Sequence, residues 1–224
     1  EYKNSELEKI NSVQHNIINL LVNYNEFAMK GAAGTGKSWI AYQMACLNAI
    51  ANSRPTLLVS KSTLLANYFR NLKNISNYSN FDIISLEQLK DKLRITDVEN
   101  YQITDNDRYS VILVDEAQDF TAEEAFFIRD LLIKDKNSKF YIFYDDEQNI
   151  YSNNLDETLN KFMVDLPAFV LTENLRNTKN IYDWARKRTS LGEASFSNQI
   201  DGPEPLMQSF RTINQIGKYV SQVV

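Results

Sequence analysis

Cysteine and histidine are nearly absent from this sequence: one of each, Cys46 and His15, in 224 residues. A single thiol cannot close an internal disulfide, and with one imidazole it cannot supply a Cys/His zinc site. A Ser-His-Asp triad is excluded unless His15 is its base, and nothing near His15 suggests that. Long apolar runs are missing as well. The longest, Phe140 to Tyr144, falls far short of the roughly 20 residues that a membrane-spanning helix needs. Nor is there an excess of positive charge. The net charge of -5 argues against a coating of basic surface for nucleic acid and leaves room only for a local basic track. An initiator methionine and a signal-peptide pattern are both lacking at Glu1, and Ile213, Ile216, Val220 and Val223 recur at helical spacing up to the last residue. The expectation is a piece of something longer, located in the cytoplasm.

What is present is ordinary for a soluble globular protein. Hydrophobic residues make up 43% and charged residues 24%, enough apolar material for a single large core without staples. The charge is uneven: from Asp115 to Asp165 there are 13 acidic against 5 basic residues, whereas Lys179, Arg186, Lys187 and Arg188 gather near the end. Both segments read first as solvated faces.

Short apolar strands alternate with helical patterns. Helices are expected over Glu6–Asn23, Ser38–Ala51, Thr63–Leu72, Leu86–Leu93, Ala122–Ile133 and Lys179–Thr189. Strands are expected over Glu26–Lys30, Thr56–Ser60, Phe81–Ser85, Val111–Val114, Phe140–Tyr144 and Ala168–Leu171. A polar stretch, Thr96 to Arg108, separates the fourth strand from what precedes it. The alternation predicts an α/β fold, a mostly parallel sheet with helices on both faces. Gly192, Gly202, Pro203 and Pro205 mark a boundary. The expected domains are therefore residues 1–191, and 192–224 as a linker with the start of a truncated second domain.

Gly31-Ala32-Ala33-Gly34-Thr35-Gly36-Lys37-Ser38 fits the phosphate loop G-x-x-x-x-G-K-[ST], with a strand before it and a helix after it. Its glycines let backbone N–H groups turn inward around a polyphosphate, and the helix N-terminus adds partial positive charge. Lys37 would reach the β and γ phosphates, and the Ser38 hydroxyl would ligate Mg²⁺. Val111-Ile112-Leu113-Val114-Asp115-Glu116 supplies the second half of such a site: two carboxylates at the C-terminal end of a buried strand, where ligands bind in open α/β sheets. Asp115 can hold the metal through water, and Glu116 can polarise the attacking water as general base. The pair predicts a P-loop NTPase with Mg²⁺ and leaves open which kind.

Asp115-Glu116-Ala117-Gln118-Asp119-Phe120 resembles the DEAQD box of superfamily 1 DNA helicases of the UvrD/Rep type, and further segments resemble that family's motifs in its order. Ile10 to Ile18 resembles the Q motif, with Gln14 at the position that reads adenine. Leu57 to Lys61 with the following helix resembles motif Ia, which in the family touches single-stranded DNA, and Phe81 to Leu86 resembles motif Ib. Tyr144 to Tyr151 resembles motif III, in which Gln148 would sense the γ-phosphate. Leu171 to Thr178 resembles motif IV, in which Arg176 would contact it. The resemblance implies a RecA-like ATP-binding domain, single-stranded DNA or RNA as partner, and a second RecA-like domain of the same protein closing the ATP cleft. It implies no membrane.

There are departures from that pattern. Only about 25 residues lie between Ser85 and Val111, so the subdomain the family inserts there is nearly absent. The Trp-Arg pair that follows motif III in UvrD/Rep proteins is replaced by Ser152-Asn153-Asn154-Leu155. Tyr144, Tyr151, Phe69 and Tyr68 could offer π faces in its place, although such residues more often pack in cores. Motifs V and VI, with the arginine finger, are not in this sequence. A fragment of this kind is expected to bind ATP, hydrolyse it slowly and not unwind duplex alone. The rivals are a P-loop kinase acting on a small molecule, and an ATP-regulated interaction module of a defence or nuclease-fused protein.

Overall fold

The computed structural model describes residues 14–51, 53–72, 79–145, 155–162, 166–174, 178–187, 195–196 and 202–223. The chain divides into two compact units, one of Glu1–Arg176 with Glu193–Asn198, the other of Asn177–Gly192 with Gln199–Val224.

The larger unit is built on six parallel strands: β1 (Glu26–Gly31), β2 (Thr56–Ser60), β3 (Phe81–Ser85), β4 (Val111–Val114), β5 (Lys139–Tyr144) and β6 (Ala168–Leu171). Their spatial order is β3-β2-β4-β5-β1-β6. Strands with neighbours on both sides are buried along most of their length. β4 reads VILV and is wholly buried, as expected of a strand covered on both faces. The edge strand β3 alternates instead, so that half-buried Asp82 accepts hydrogen bonds from Tyr109 and Lys92 at the rim.

Alternation along the strands divides the core in two. Ile112 and Val114 face one layer with Leu86, Leu89, Phe120, Phe127 and Ile128. Val111 and Leu113 face the other with Ile18, Leu21, Ile40, Met44 and Phe69. The first layer is covered by α4 (Leu86–Leu93), α5 (Ala122–Asp130) and α6 (Leu155–Phe162). The second is covered by α1 (described over residues 14–21), α2 (Lys37–Cys46, continuing into a π turn to Ala51) and α3 (Thr63–Asn71). Short polar signals start several of these helices. Ser85 and Gln88 form a capping box on α4, Thr121 and Glu124 form one on α5, and Ser62 caps α3.

Most expected elements fall within a few residues of the observed ones. α5 stops at Asp130 rather than Ile133 because Leu132 turns to bridge Tyr109, whose N–H donates to the Leu131 carbonyl while the Ile133 N–H donates to the Tyr109 carbonyl. The polar stretch Thr96–Arg108 is not a detached linker: Val98, Tyr101 and Ile103 pack against the first layer. Neither α6 nor the short parallel pair β7 (Glu173–Asn174) and β8 (Ser195–Phe196) was anticipated from the sequence.

The smaller unit holds α7 (Lys179–Arg186) and α8 (Ile213–Val223). Thr178 and Thr212 hydroxyls accept N–H groups in the first turns of these helices. Along α8, Ile213, Ile216 and Val220 recur on one stripe as the sequence predicted, and all three are exposed. No helix of the described residues is long and apolar enough to cross a membrane.

Candidate nucleotide-binding site

Because every strand of the large sheet runs the same way, the chain segments leaving β1, β4 and β5 emerge at one edge, the edge where ligands bind in open α/β sheets. The phosphate-loop sequence leaves β1, Asp115 and Glu116 leave β4, and Asp145 leaves β5.

The loop between β1 and α2 has the conformation its glycines predict. Gly34 and Gly36 take φ of 85° and 90°, which a side chain would resist. Gly31 is needed for space. A Cβ there would stand 2.7 Å from Thr35 Oγ1 and 3.0 Å from Leu171 Cβ. Thr35 closes the turn by donating its hydroxyl to the Ala32 carbonyl at 2.9 Å, and Ala33 lies exposed at the tip. No side chain caps α2 and no acidic residue occupies its first turn, which leaves its N-terminal amides and partial positive charge suited to receive an anion. Lys37 is buried; its Nζ donates to the Gly31 carbonyl at 2.6 Å and the Ala32 carbonyl at 3.1 Å, with Asp145 Oδ2 at 3.5 Å.

Across from the loop, Asp115 is only 1% exposed. Neither carboxylate oxygen has a hydrogen bond of normal geometry. Burial, and then the adjacent Glu116 charge, push its carboxyl up to about 7, while the nearby Ser38 hydroxyl and Lys37 ammonium offset part of that rise. Two buried anionic oxygens without partners are costly on their own. They fit a hard divalent cation, which takes oxygen ligands and retains several from water and phosphate. Ser38 and Asp115 are the residues that would hold Mg²⁺. Among the described residues there is no cluster of three or more His, Cys, Asp or Glu that could hold a metal ion.

Glu116 sits in the left-handed region, φ 52° and ψ 52°, a conformation costing an L side chain roughly 1–2 kcal/mol. It turns the chain sharply out of β4 into the 3₁₀ turn Ala117–Asp119 and aims the next residues back under the site. Gln118 Nε2 donates to Glu116 Oε2 at 2.7 Å, and Gln118 Oε1 accepts the Asp145 N–H at 3.0 Å. Phe120 anchors the turn in the core, its carbonyl taking the Thr158 hydroxyl of α6 at 3.1 Å. Asp119 is raised by burial and by Glu116, with Lys61 opposing. Lys61 itself pairs with Glu124 at 2.6 Å.

The structure thus brings together Gly31, Ala32, Ala33, Gly34, Thr35, Gly36, Lys37 and Ser38 with Asp115 and Glu116. Gln14 lies buried in α1, which shares its core layer with α2. Gln148 and Arg176 lie outside the described residues, as does Tyr151. Of the aromatics considered for stacking, Tyr144 and Phe69 are core residues and Tyr68 is 57% exposed. Sequence reasoning gave no role to Asp145 or Gln118. The signal for Asp145 was available: like Asp115, it follows an apolar strand.

The parallel sheet, the loop after β1, the acidic pair after β4 and the strand β5 inserted between them define a P-loop nucleotide-binding domain of the RecA-like, helicase type. The chain belongs to the Schlafen group 3 DNA/RNA helicase domain family, matching it over residues 26–222. No curated protein matches the sequence. Among solved structures, the chain is similar to the Pif1 helicase of Candida albicans, with 16% identity and a TM-score of 0.48 over 70% of this chain and 38% of that one. It is also similar to Bacteroides Pif1 bound to single-stranded DNA, with 14% identity, 76% and 43% coverage and a TM-score of 0.46. Domain III of the Thermotoga maritima replication initiation protein DnaA matches with 15% identity, 71% and 60% coverage and a TM-score of 0.39. The chain spans less than two thirds of the length of each of these structures.

Proposed function

We propose that this domain binds and hydrolyses Mg²⁺·ATP as the first RecA-like half of a motor acting on single-stranded nucleic acid. The observation that carries the reading is the unpartnered, buried Asp115 carboxylate beside Lys37 and Ser38, opposite an uncapped helix N-terminus. The loop amides of Gly31 to Gly36 and the Lys37 ammonium hold the β and γ phosphates. Lys37 must exchange its Gly31 and Ala32 carbonyls for phosphate oxygens, a short movement for a flexible side chain. Mg²⁺, held by Ser38 and Asp115, would neutralise charge on the phosphates. Glu116 takes a proton from the attacking water while that oxygen bonds to the γ-phosphorus and the bond to the bridging oxygen of ADP breaks.

Gln14, Gln148 and Arg176 are assigned by their match to the motif order of UvrD/Rep-type helicases, as adenine reader, γ-phosphate sensor and γ-phosphate contact. The same order supports single-stranded DNA, or RNA, as the partner and a second RecA-like domain that completes the cleft. An arginine supplied from outside a phosphoryl-transfer site contributes about 10³ to 10⁵ in rate. The 224 residues alone are therefore expected to bind ATP, to turn it over slowly and not to separate strands.

Steady-state ATP hydrolysis by the full-length protein, with and without single-stranded DNA or RNA, tests this, with Lys37→Ala as control. Stimulation by a strand, lost in the control, is the expected result. Hydrolysis indifferent to any strand would replace the motor with an ATP-regulated interaction module. Absence of ATP binding would overturn both.

A further inference from the structure

Gln118 is 2% exposed, and its amide is fully engaged at both ends. Its oxygen accepts the backbone N–H of Asp145, which fixes the plane of the amide and leaves its NH₂ no freedom to turn away. That NH₂ donates to one oxygen of Glu116, Oε2, in a charge-assisted hydrogen bond of 2.7 Å. Asp145, at the other end, has its carboxylate 3.5 Å from the Lys37 ammonium. The phosphate-gripping lysine and the general base are therefore joined through two side chains and one peptide group: Lys37, Asp145, Gln118, Glu116.

We propose that Gln118 is a positioning residue for hydrolysis. It clamps Oε2 of Glu116, leaves the other oxygen to take the proton of water, and ties that base to the segment leaving β5. The proposal rests on the assignment of Glu116 as base. Glu116 needs such a restraint. Its backbone is already in the left-handed region, and its side chain is only half-buried at the start of a turn. A glutamate carboxylate on freely rotating bonds would spend little time facing the γ-phosphate. A displacement near 1 Å at a reacting group can reduce rate by about 100-fold. Because Asp145 answers to Lys37, movement of the lysine onto phosphate reaches the base through the same amide.

The test compares Gln118→Leu and Gln118→Glu in the full-length protein, each alone and combined with Glu116→Gln. Single-turnover ATP hydrolysis, affinity for a fluorescent ATP analogue and thermal melting are measured for all. Expected for Gln118→Leu is hydrolysis slower by roughly 100-fold with nucleotide affinity changed by no more than about threefold. In the Glu116→Gln background, the same change should slow hydrolysis no further, since both substitutions remove one function. Gln118→Glu keeps the shape and, when ionised, sets an oxygen against Oε2 of Glu116 in place of the NH₂, so it should be slow as well at alkaline pH, where the two carboxyls no longer share a proton; it decides the matter if the leucine variant does not fold. Wild-type rates in Gln118→Leu, with Glu116→Gln inactive, would overturn the positioning role alone. Equal slowing in both backgrounds, or affinity lost in parallel with rate, would make Gln118 a packing residue and overturn it too. Full activity of Glu116→Gln would remove the base assignment itself, and the proposal with it.

Discussion

Replacing Asp115 with asparagine should make the protein more stable and its nucleotide site useless. The carboxyl titrates near 7 in the fold against 3.8 when unperturbed, because it is buried beside Glu116. Each tenfold change in proton affinity is worth about 1.4 kcal/mol, so an ionised Asp115 costs the fold on the order of 4 kcal/mol above neutral pH. The sign follows from the proton. Folded Asp115 holds it more tightly than unfolded Asp115 does, so stability falls as pH rises from about 4 to about 7 and is flat outside that window. Asparagine carries no charge, but its buried amide leaves a donor and an acceptor without partners, at roughly 1–3 kcal/mol. The expected net gain is about 1–3 kcal/mol near pH 8, or about 5 °C in melting temperature for a chain of this size. Thermal melting in a chelator near pH 8 and near pH 5 measures it; near pH 5 the gain should vanish. With Mg²⁺·ATP the order should reverse, since only the wild type gains stability from the bound complex. A variant that melts below wild type near pH 8 in chelator, or differs equally at both pH values, would refute the account.

Lys37→Ala removes one partner of buried Asp145 and should lower stability by about 1–3 kcal/mol as well as abolish ATP binding; chemical denaturation separates the two effects, and unchanged stability would show that the ion pair carries none. Gly31→Val inserts a side chain where Thr35 Oγ1 stands 2.7 Å and Leu171 Cβ 3.0 Å from a Cβ. It should weaken ATP binding by at least about tenfold through a distorted loop, and calorimetric affinity at the wild-type value would refute it. Phe120→Ala empties a fully buried position against Phe162 and should cost about 3–5 kcal/mol in denaturant unfolding; a loss under 1 kcal/mol would mean the turn after Glu116 can collapse into the gap.

The phosphate loop and the acidic pair were legible because each needs particular residue types in a fixed run: glycines where φ must be positive, a lysine and serine opening a helix, carboxylates ending an apolar strand. β2, β3, β4, β6 and α4 were legible to the residue, since short apolar runs bounded by polar residues or breakers such as Pro55, Pro167 and Ser85 admit few alternatives. The order of the strands was not. Nothing in Phe140 to Tyr144 says that β5 lies between β1 and β4, because all three have buried centres and their pairing is long-range. α6 was missed for a different reason: Asp156, Glu157 and Lys161 dilute its apolar stripe, and its helix is held by contacts to α5 and the Phe120 carbonyl. Gln118 was hidden because its role depends on Asp145, 27 residues away in sequence.

That inserted strand also sets a length scale. Neighbouring strands stand about 4.8 Å apart, so with β5 between them the ends of β1 and β4 are separated by about 10 Å. Such a gap leaves room beyond the strand ends for a phosphate chain and a hydrated cation together. β5 is thus a spacer gauge as much as a strand, and Asp145 marks its tip. A register slip in β5 would leave that width as it is and instead carry Asp145 along the opening, away from Lys37.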